Sequence, residues 1–337
     1  FQIYHHCKHQ SHCFSLSTRP MQHLQDYFLS KEGPDASEIQ SGKREQIAVA
    51  LRPQPRAYHQ YLSSLTDTHN HMCGFSEKEH AAFNQRRKVL LTLPAAGRHM
   101  IVSVTPNDWK TFVCFCNDND EHQRCLYGFG IHPMHASHAQ ESFPSWLDEL
   151  RSCLEASPAS FVGEIGLDNS KRYKPFQQHQ ISIFIDQLKI AAEFRRPCSI
   201  HSVKSSASLV NILSAMEALP PTISLHSFCG SLETLERIQS ICTNKQCKVF
   251  VGLNPTTNLC KKNLACYLQG VRFDRMLVET DFSCSDYPYN GSSDLDIGKL
   301  LLHAVGIISL TTGEEYHVVV EHLMNNTKEY LSPLPLN

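Results

Sequence analysis

Residues 160–168 read SFVGEIGLD, a nearly continuous apolar run with Glu164 at its centre. A strand buried on both faces of a parallel sheet reads this way, because neither face alternates with polar residues. Seven further runs have the same character: LSSLTD at 62–67, MIVSVT at 100–105, LYGFGIHP at 126–133, CSIHS at 198–202, TISLHSF at 222–228, KVFVGLN at 248–254 and MLVETD at 276–281. The gaps between successive runs each leave room for one helix and two loops.

The intervening segments carry helical periodicity. In 177–194, Ile181, Phe184, Ile185, Leu188, Ala191 and Ala192 recur at spacings of three and four, which predicts one apolar stripe packed on the sheet. In 231–242, Leu232, Leu235, Ile238 and Ile241 do the same, with Ser231 placed as N-cap and Glu233 in the first turn. Eight strand–helix alternations predict an α/β fold, a (β/α)8 TIM-type barrel, over a doubly wound open sheet. A chain of 337 residues accommodates such a barrel over 62–332 plus an irregular N-terminal extension over 1–61.

That extension opens with FQIYHHCKHQSHCFSLSTRP, rich in histidine and cysteine at spacings that match no common zinc finger, and is expected to be disordered or peripheral. The net charge of −2 gives no global attraction for polyanions, so nucleic-acid binding requires a local patch or a metal. No apolar stretch approaches a membrane span, so no membrane association is expected. The 14 cysteines form no CxxC pair and are expected as reduced thiols in the cytoplasm or nucleus.

Six side chains at the strand ends are candidate ligands: His69, His71, Glu164, His201, His226 and Asp281. His69 and His71, two apart on a strand, project the same way and can chelate one ion. Four imidazoles and two carboxylates suit a pair of divalent ions, Mg²⁺, Mn²⁺ or Zn²⁺. Glu164, from the fourth strand, is the natural bridge. Two ions about 4 Å apart can activate a water and clamp both oxygens of a phosphodiester displacement. Asp281 could bind metal and take the proton from that water.

The motifs DTHNH at 67–71, GFGIHP at 128–133, GEIGLD at 163–168, IHS at 200–202, HSFCG at 226–230 and ETD at 279–281 resemble, in order, those of the TatD-type metal-dependent deoxyribonucleases. Gln180, Gln187–Leu188 and Asn326–Thr327 also stand where that family carries such residues. The resemblance covers roughly 62–332 and implies a barrel hydrolase that cleaves DNA. It further implies that His69 and His71 bind one metal, His201 and His226 the other, Glu164 bridges, and Asp281 is ligand and base, with Asp281 and Glu164 as the catalytic pair.

The chain also departs from the family pattern. Val203-Lys204 replaces the usual Arg-Asp, His132-Pro133-Met134 replaces His-Pro-His, GLNPTTN follows its own text, and FSCSDYPYNGSSD after ETD lacks the usual arginine. His132 and Lys204 are the remaining candidates for contact with phosphate, Lys204 as a point charge. This divergence resembles a fungal branch with members linked to the cell-cycle ubiquitin ligase machinery. The alternative functions are therefore a protein-binding barrel in such a complex, or a hydrolase of another ester or an amide.

Overall fold

A computed structural model describes residues 56–72, 97–116, 124–283 and 297–336. Most of the predicted extension, 1–55, lies outside the described residues, as does most of the loop after ETD. Nine strands form one sheet: β1 Asp67–His71, β2 His99–Val102, β3 Cys125–Phe129, β4 Phe161–Asp168, β5 Cys198–Val203, β6 Thr222–Leu225, β7 Lys248–Leu253, β8 Met276–Val278 and β9 Phe282–Ser283. Their order is β8-β7-β6-β5-β4-β3-β2-β1-β9, and every pairing is parallel.

Chain order thus equals spatial order, and the ends of the sheet meet. Thr68 donates its hydroxyl to the Val278 carbonyl across 3.0 Å. The chain leaving β8 then crosses to β1, where Asn70 pairs with Phe282 and His71 with Ser283. The result is the expected eight-stranded barrel, closed at its seam by the short β9.

Seven of the eight apolar runs coincide with strands. The first does not: residues 56–64 form a 3₁₀ helix, and β1 is the polar DTHNH segment itself, wholly buried. The predicted boundary at 61/62 cuts through this helix. Leu62 is buried, and Tyr61 meets the Tyr316 ring at 5.6 Å, because both pack against the C-terminal helices.

Side-chain parity splits the core into two layers. Met100, Val102, Leu126, Phe161, Phe250 and Leu277 cluster with Tyr330, Leu331 and Leu334, whereas Ile101, Tyr127, Val162, Ile200, Val249 and Val251 join the layer beneath the helices. Tyr330 stoppers the N-terminal end of the barrel: its hydroxyl donates to the Cys198 carbonyl at 2.9 Å, and its carbonyl accepts from Thr222 Oγ1 at 2.8 Å. Asn326, on the same helix Tyr316–Tyr330, donates to Phe273 and Met276 carbonyls at 2.8 and 2.9 Å and anchors that helix to the start of β8.

The helix Leu232–Asn244 starts as predicted, with Ser231 Oγ accepting from Thr234 N at 3.2 Å. The stripe on helix Gln177–Glu193 is rotated from the predicted one. Ile181, Ile185 and Ala192 are only partly buried, whereas Gln180, Ile183, Gln187 and Ile190 are buried. The two amides go inward because each caps loop backbone. Gln187 accepts from Ile131 N at 2.6 Å and donates to Ile131 O at 3.3 Å. Gln180 brackets Asp168 in the same way, at 2.7 and 3.0 Å.

A candidate metal centre at the barrel mouth

The C-terminal ends of the strands bring all six predicted ligands together around Glu164. His69 and His71 do not follow β1 but lie within it, on the same face, with Nε2 atoms 3.3 Å apart. Glu164 Oε2 lies 3.4, 3.0 and 3.5 Å from Nε2 of His69, His71 and His132. Glu164 Oε1 lies 2.8 Å from His201 Nδ1 and 3.8 Å from His226 Nε2. Asp281 Oδ1 completes the ring, 3.6 Å from His71 Nε2 and 3.8 Å from His226 Nε2.

Three sets of three have ligand atoms within 4.8 Å of one another: His69–His71–Asp281, His132–Glu164–His201 and His69–His226–Glu279. His132, read from sequence as a phosphate contact, therefore stands among the candidate ligands. Lys204 is exposed at the end of β5 and forms no ion pair among the described residues. Its left-handed backbone (φ 50°) ends the strand, and its carbonyl accepts from Asn169 Nδ2 at 3.3 Å.

Several residues that position the ligands carry no metal-ligand signal in the sequence. Glu279, fully buried, accepts through Oε1 from His226 Nδ1 at 2.8 Å, Ser227 N at 2.7 Å and Ser227 Oγ at 2.9 Å. A carboxylate on one imidazole nitrogen fixes the tautomer and leaves the other nitrogen's lone pair for a metal. Ser199 Oγ hydrogen-bonds His69 Nδ1 at 2.8 Å and fixes the orientation of that ring. Asp67 accepts from Thr280 N at 2.9 Å and Thr280 Oγ1 at 2.7 Å, and so locks the turn that presents Asp281 onto β1. Asp168 Oδ2 faces His201 Nε2 at 3.5 Å. Asp67 and Glu279 are signalled only as neighbours of the ligands in DTHNH and ETD.

The electrostatics fit a cation. Burial alone raises the Glu164 carboxyl, but His132, His69 and His201 outweigh it and hold the group well below the usual range. Burial pulls His201 and His226 down. The Glu164 and Asp168 carboxylates nevertheless lift His201 to about 9, and Glu279, Asp281 and Glu164 lift His226 to about 10. Burial keeps His69 and His132 below the ordinary imidazole value. Oε2 of Glu164, Oε2 of Glu279 and Nε2 of His201 are buried without a hydrogen-bond partner. Orphaned buried polar atoms are costly, and lone pairs converging at these distances are what a divalent ion satisfies.

A sequence model of the family described as TatD related DNase matches residues 66–332. The chain belongs to this family. Among curated relatives it is 24% identical over 235 residues to the Cut9-interacting protein scn1 of Schizosaccharomyces pombe, covering 55% of this chain and 66% of that one. It is 31% identical over 175 residues to an uncharacterized metal-dependent hydrolase, YjjV, of Escherichia coli, covering 51% and 62%. It is 28% identical over 160 residues to deoxyribonuclease Tat-D of S. pombe, covering 45% and 49%. The matched segments span at most about two thirds of these relatives. Among solved structures, the E. coli YjjV barrel aligns with a TM-score of 0.62 at 20% identity, over 82% of this chain and 100% of that one. A TatD family hydrolase of Entamoeba histolytica aligns at 0.62 and 17%, over 80% and 98%. The chain is thus a TatD-family barrel with a cluster of His, Glu and Asp able to bind metal. No helix among the described residues is long and apolar enough to cross a membrane.

Proposed function

We propose that this chain is a two-metal deoxyribonuclease. One observation carries the reading: six candidate ligands from five strands cluster around one of their number, the buried carboxylate Glu164. His69, His71 and Asp281 would hold one divalent ion, His201 and His226 the other with His132 beside them, and Glu164 would bridge. Bound Mg²⁺, Mn²⁺ or Zn²⁺ would neutralise phosphate charge and acidify a water.

The chain's own groups do the rest. Glu279 holds His226 in the ligating tautomer, and Ser199 orients the His69 ring. Asp281, with its side chain 23% exposed, is the most open carboxylate of the set and receives the proton of the attacking water at Oδ1. Lys204 contributes positive charge at the rim. The described cysteines form no disulfides with one another, which supports residence in the cytoplasm or nucleus.

The test is hydrolysis of single-stranded DNA, duplex DNA and RNA oligonucleotides with each metal and with chelator. Metal-dependent cleavage of DNA is expected. A second reading, a barrel that serves as a protein partner, is supported by the name of the relative scn1. It becomes the better one if no nucleic acid is cut with any metal.

A further inference from the structure

Two cysteines are brought together by backbone geometry at the opposite end of the barrel from the histidine cluster. The helix Leu232–Asn244 ends in a full Schellman turn. Gln246 takes the left-handed conformation at φ 58°, and its amide donates to the Thr243 carbonyl at 3.0 Å. The Cys247 amide, one residue before β7, donates back to the Cys242 carbonyl at 2.9 Å. Such a turn sets the side chains at its two ends against each other, ordinarily as an apolar pair. Here both ends are cysteines, 0% and 2% exposed, and they form no disulfide. Fixed covalent lengths from the bonded oxygen and nitrogen back to Cα limit the Cα–Cα separation across a bond of this kind to about 6.8 Å, within the span of a disulfide. The two thiols are in hydrogen-bonding contact.

The pair is buried but not sealed. A cavity of about 510 Å³ at the start of β7 and β8 reaches Cys247. Gln239, Gln246, Lys248, Arg272 and Arg275 line it, and none of the described residues lining it is acidic. Asp274 and Glu329 hold the cations from outside the lining: Arg272 Nε donates to Asp274 Oδ1 at 3.1 Å, Arg275 Nη1 to Glu329 Oε2 at 3.0 Å, and Lys248 pairs with Glu329. Gln239 Nε2 is buried without a hydrogen-bond partner. The lining thus offers N–H donors and positive charge, and its volume suits a small ligand.

We infer that Cys242 and Cys247 form a thiol-oxidation site, and that the cavity admits an anionic low-molecular-weight disulfide of the glutathione class to it. The inference is independent of the nuclease reading. Cys247 loses its proton to solvent, and its thiolate attacks one sulfur of the entering disulfide. That S–S bond breaks, one thiolate leaves and takes up a proton, and a mixed disulfide remains on Cys247. Cys242, deprotonated in turn, attacks the Cys247 sulfur and expels the second thiolate. Two protein thiols are oxidised, and one small disulfide is reduced to two thiols. The adjoining Cys242 and burial hold the Cys247 thiol above its ordinary value. The exchange therefore runs through a small thiolate fraction and quickens as pH rises. In a reducing compartment the pair stays as thiols, and the bridge forms as the poise becomes oxidising.

The test incubates the folded full chain with oxidised glutathione, alkylates the remaining thiols and reads tryptic peptides by mass spectrometry. Cleavage after Lys245 puts the two cysteines on separate peptides, IQSICTNK at 238–245 and QCK at 246–248. Wild type should yield these two joined by a bond that dithiothreitol cleaves. The initial rate should rise about tenfold per pH unit from neutral pH upward. Cys242→Ser should stop with glutathione on Cys247, and Cys247→Ser should leave Cys242 unmodified. Lys248→Gln/Arg272→Gln should slow the reaction of glutathione disulfide several-fold without slowing that of cationic cystamine. Circular dichroism checks that each variant is folded, and the exposed Cys114, Cys229 and Cys266 report that oxidant is active. Glutathione on those three without a bridge between 242 and 247 overturns the inference, as does an unmodified Cys247 in folded Cys242→Ser. Equal slowing of cystamine removes the anionic class from it.

Discussion

Asp281 sits in the left-handed region at φ 48°, with its amide bonded to the His69 carbonyl at 3.0 Å. Asparagine tolerates this conformation nearly as well as any residue with a side chain. Asp281→Asn therefore keeps backbone and shape while removing the charge and the base. We expect its thermal midpoint within a degree or two of wild type, and kcat on a cleavable oligonucleotide lower by about 10²–10⁴-fold. Retained activity would remove Asp281 from the mechanism. Glu279→Gln keeps an acceptor for Ser227 but weakens the charge that raises His226. It should act through metal affinity, about 10–100-fold weaker by calorimetry. The candidate ligands at this scale were legible because His, Glu and Asp are rare at the ends of apolar runs. The residues that orient them were not: Ser199 and Glu279 look like ordinary strand and turn residues until the barrel brings β1, β5, β6 and β8 together.

Strands and helices show the same division. The apolar runs marked seven strands, since burial on both faces leaves a continuous hydrophobic text. β1 escaped because DTHNH is polar yet buried, its Asp67 carboxylate accepting from Asn70 and Thr280. The rotated stripe on Gln177–Glu193 escaped because a buried glutamine is explained only by the loop backbone it caps. Gly252 on β7 is another such position. A Cβ there would stand 1.9 Å from Glu279 Oε2 and 2.4 Å from its Cδ. Gly252→Ala must push Glu279 off His226. We expect overpacking to cost about 1–3 kcal/mol, with a loss of metal affinity like that of Glu279→Gln. Unchanged affinity would show that Glu279 does not position His226.

The helix Ile297–Thr312 carries a separate prediction. His303 is 6% exposed, and burial pushes its imidazole down to about 4. The unfolded chain, with an ordinary value near 6.5, then binds the proton that the folded chain refuses. The stabilisation is fully present above about pH 6.5 and is lost as pH falls from there toward 4. Its size is on the order of 3 kcal/mol at about 1.4 kcal/mol per unit. His303→Leu, similar in volume, should flatten the stability profile in that window. An unaltered slope in urea melts between pH 4 and 6.5 would overturn the assignment.

For the whole molecule, the candidate metal centre is a seam. β1, β4, β5, β6 and the turn after β8 all end on it, and Glu164 Oε2, Glu279 Oε2 and His201 Nε2 are buried there without hydrogen-bond partners. An ion that binds only the folded chain adds RT ln(1 + [L]/Kd), about 2.7 kcal/mol at a hundredfold excess over Kd. For a barrel of this size that shifts the midpoint by about 5–10 °C. Protein stripped with chelator should melt lower by that amount, and Zn²⁺ or Mn²⁺ should restore it, with more than one equivalent bound at saturation. His69→Ala and His226→Ala should each lower the stoichiometry and shrink the shift. Both histidines meet near Asp281 and Glu164, so their effects should couple rather than simply add, with the double variant binding less metal than either single one. Chelator and metal without effect on the midpoint, or full stoichiometry in both single variants, would mean that the histidines are held by hydrogen bonds alone. The barrel would then keep its shape without the ions assigned to it.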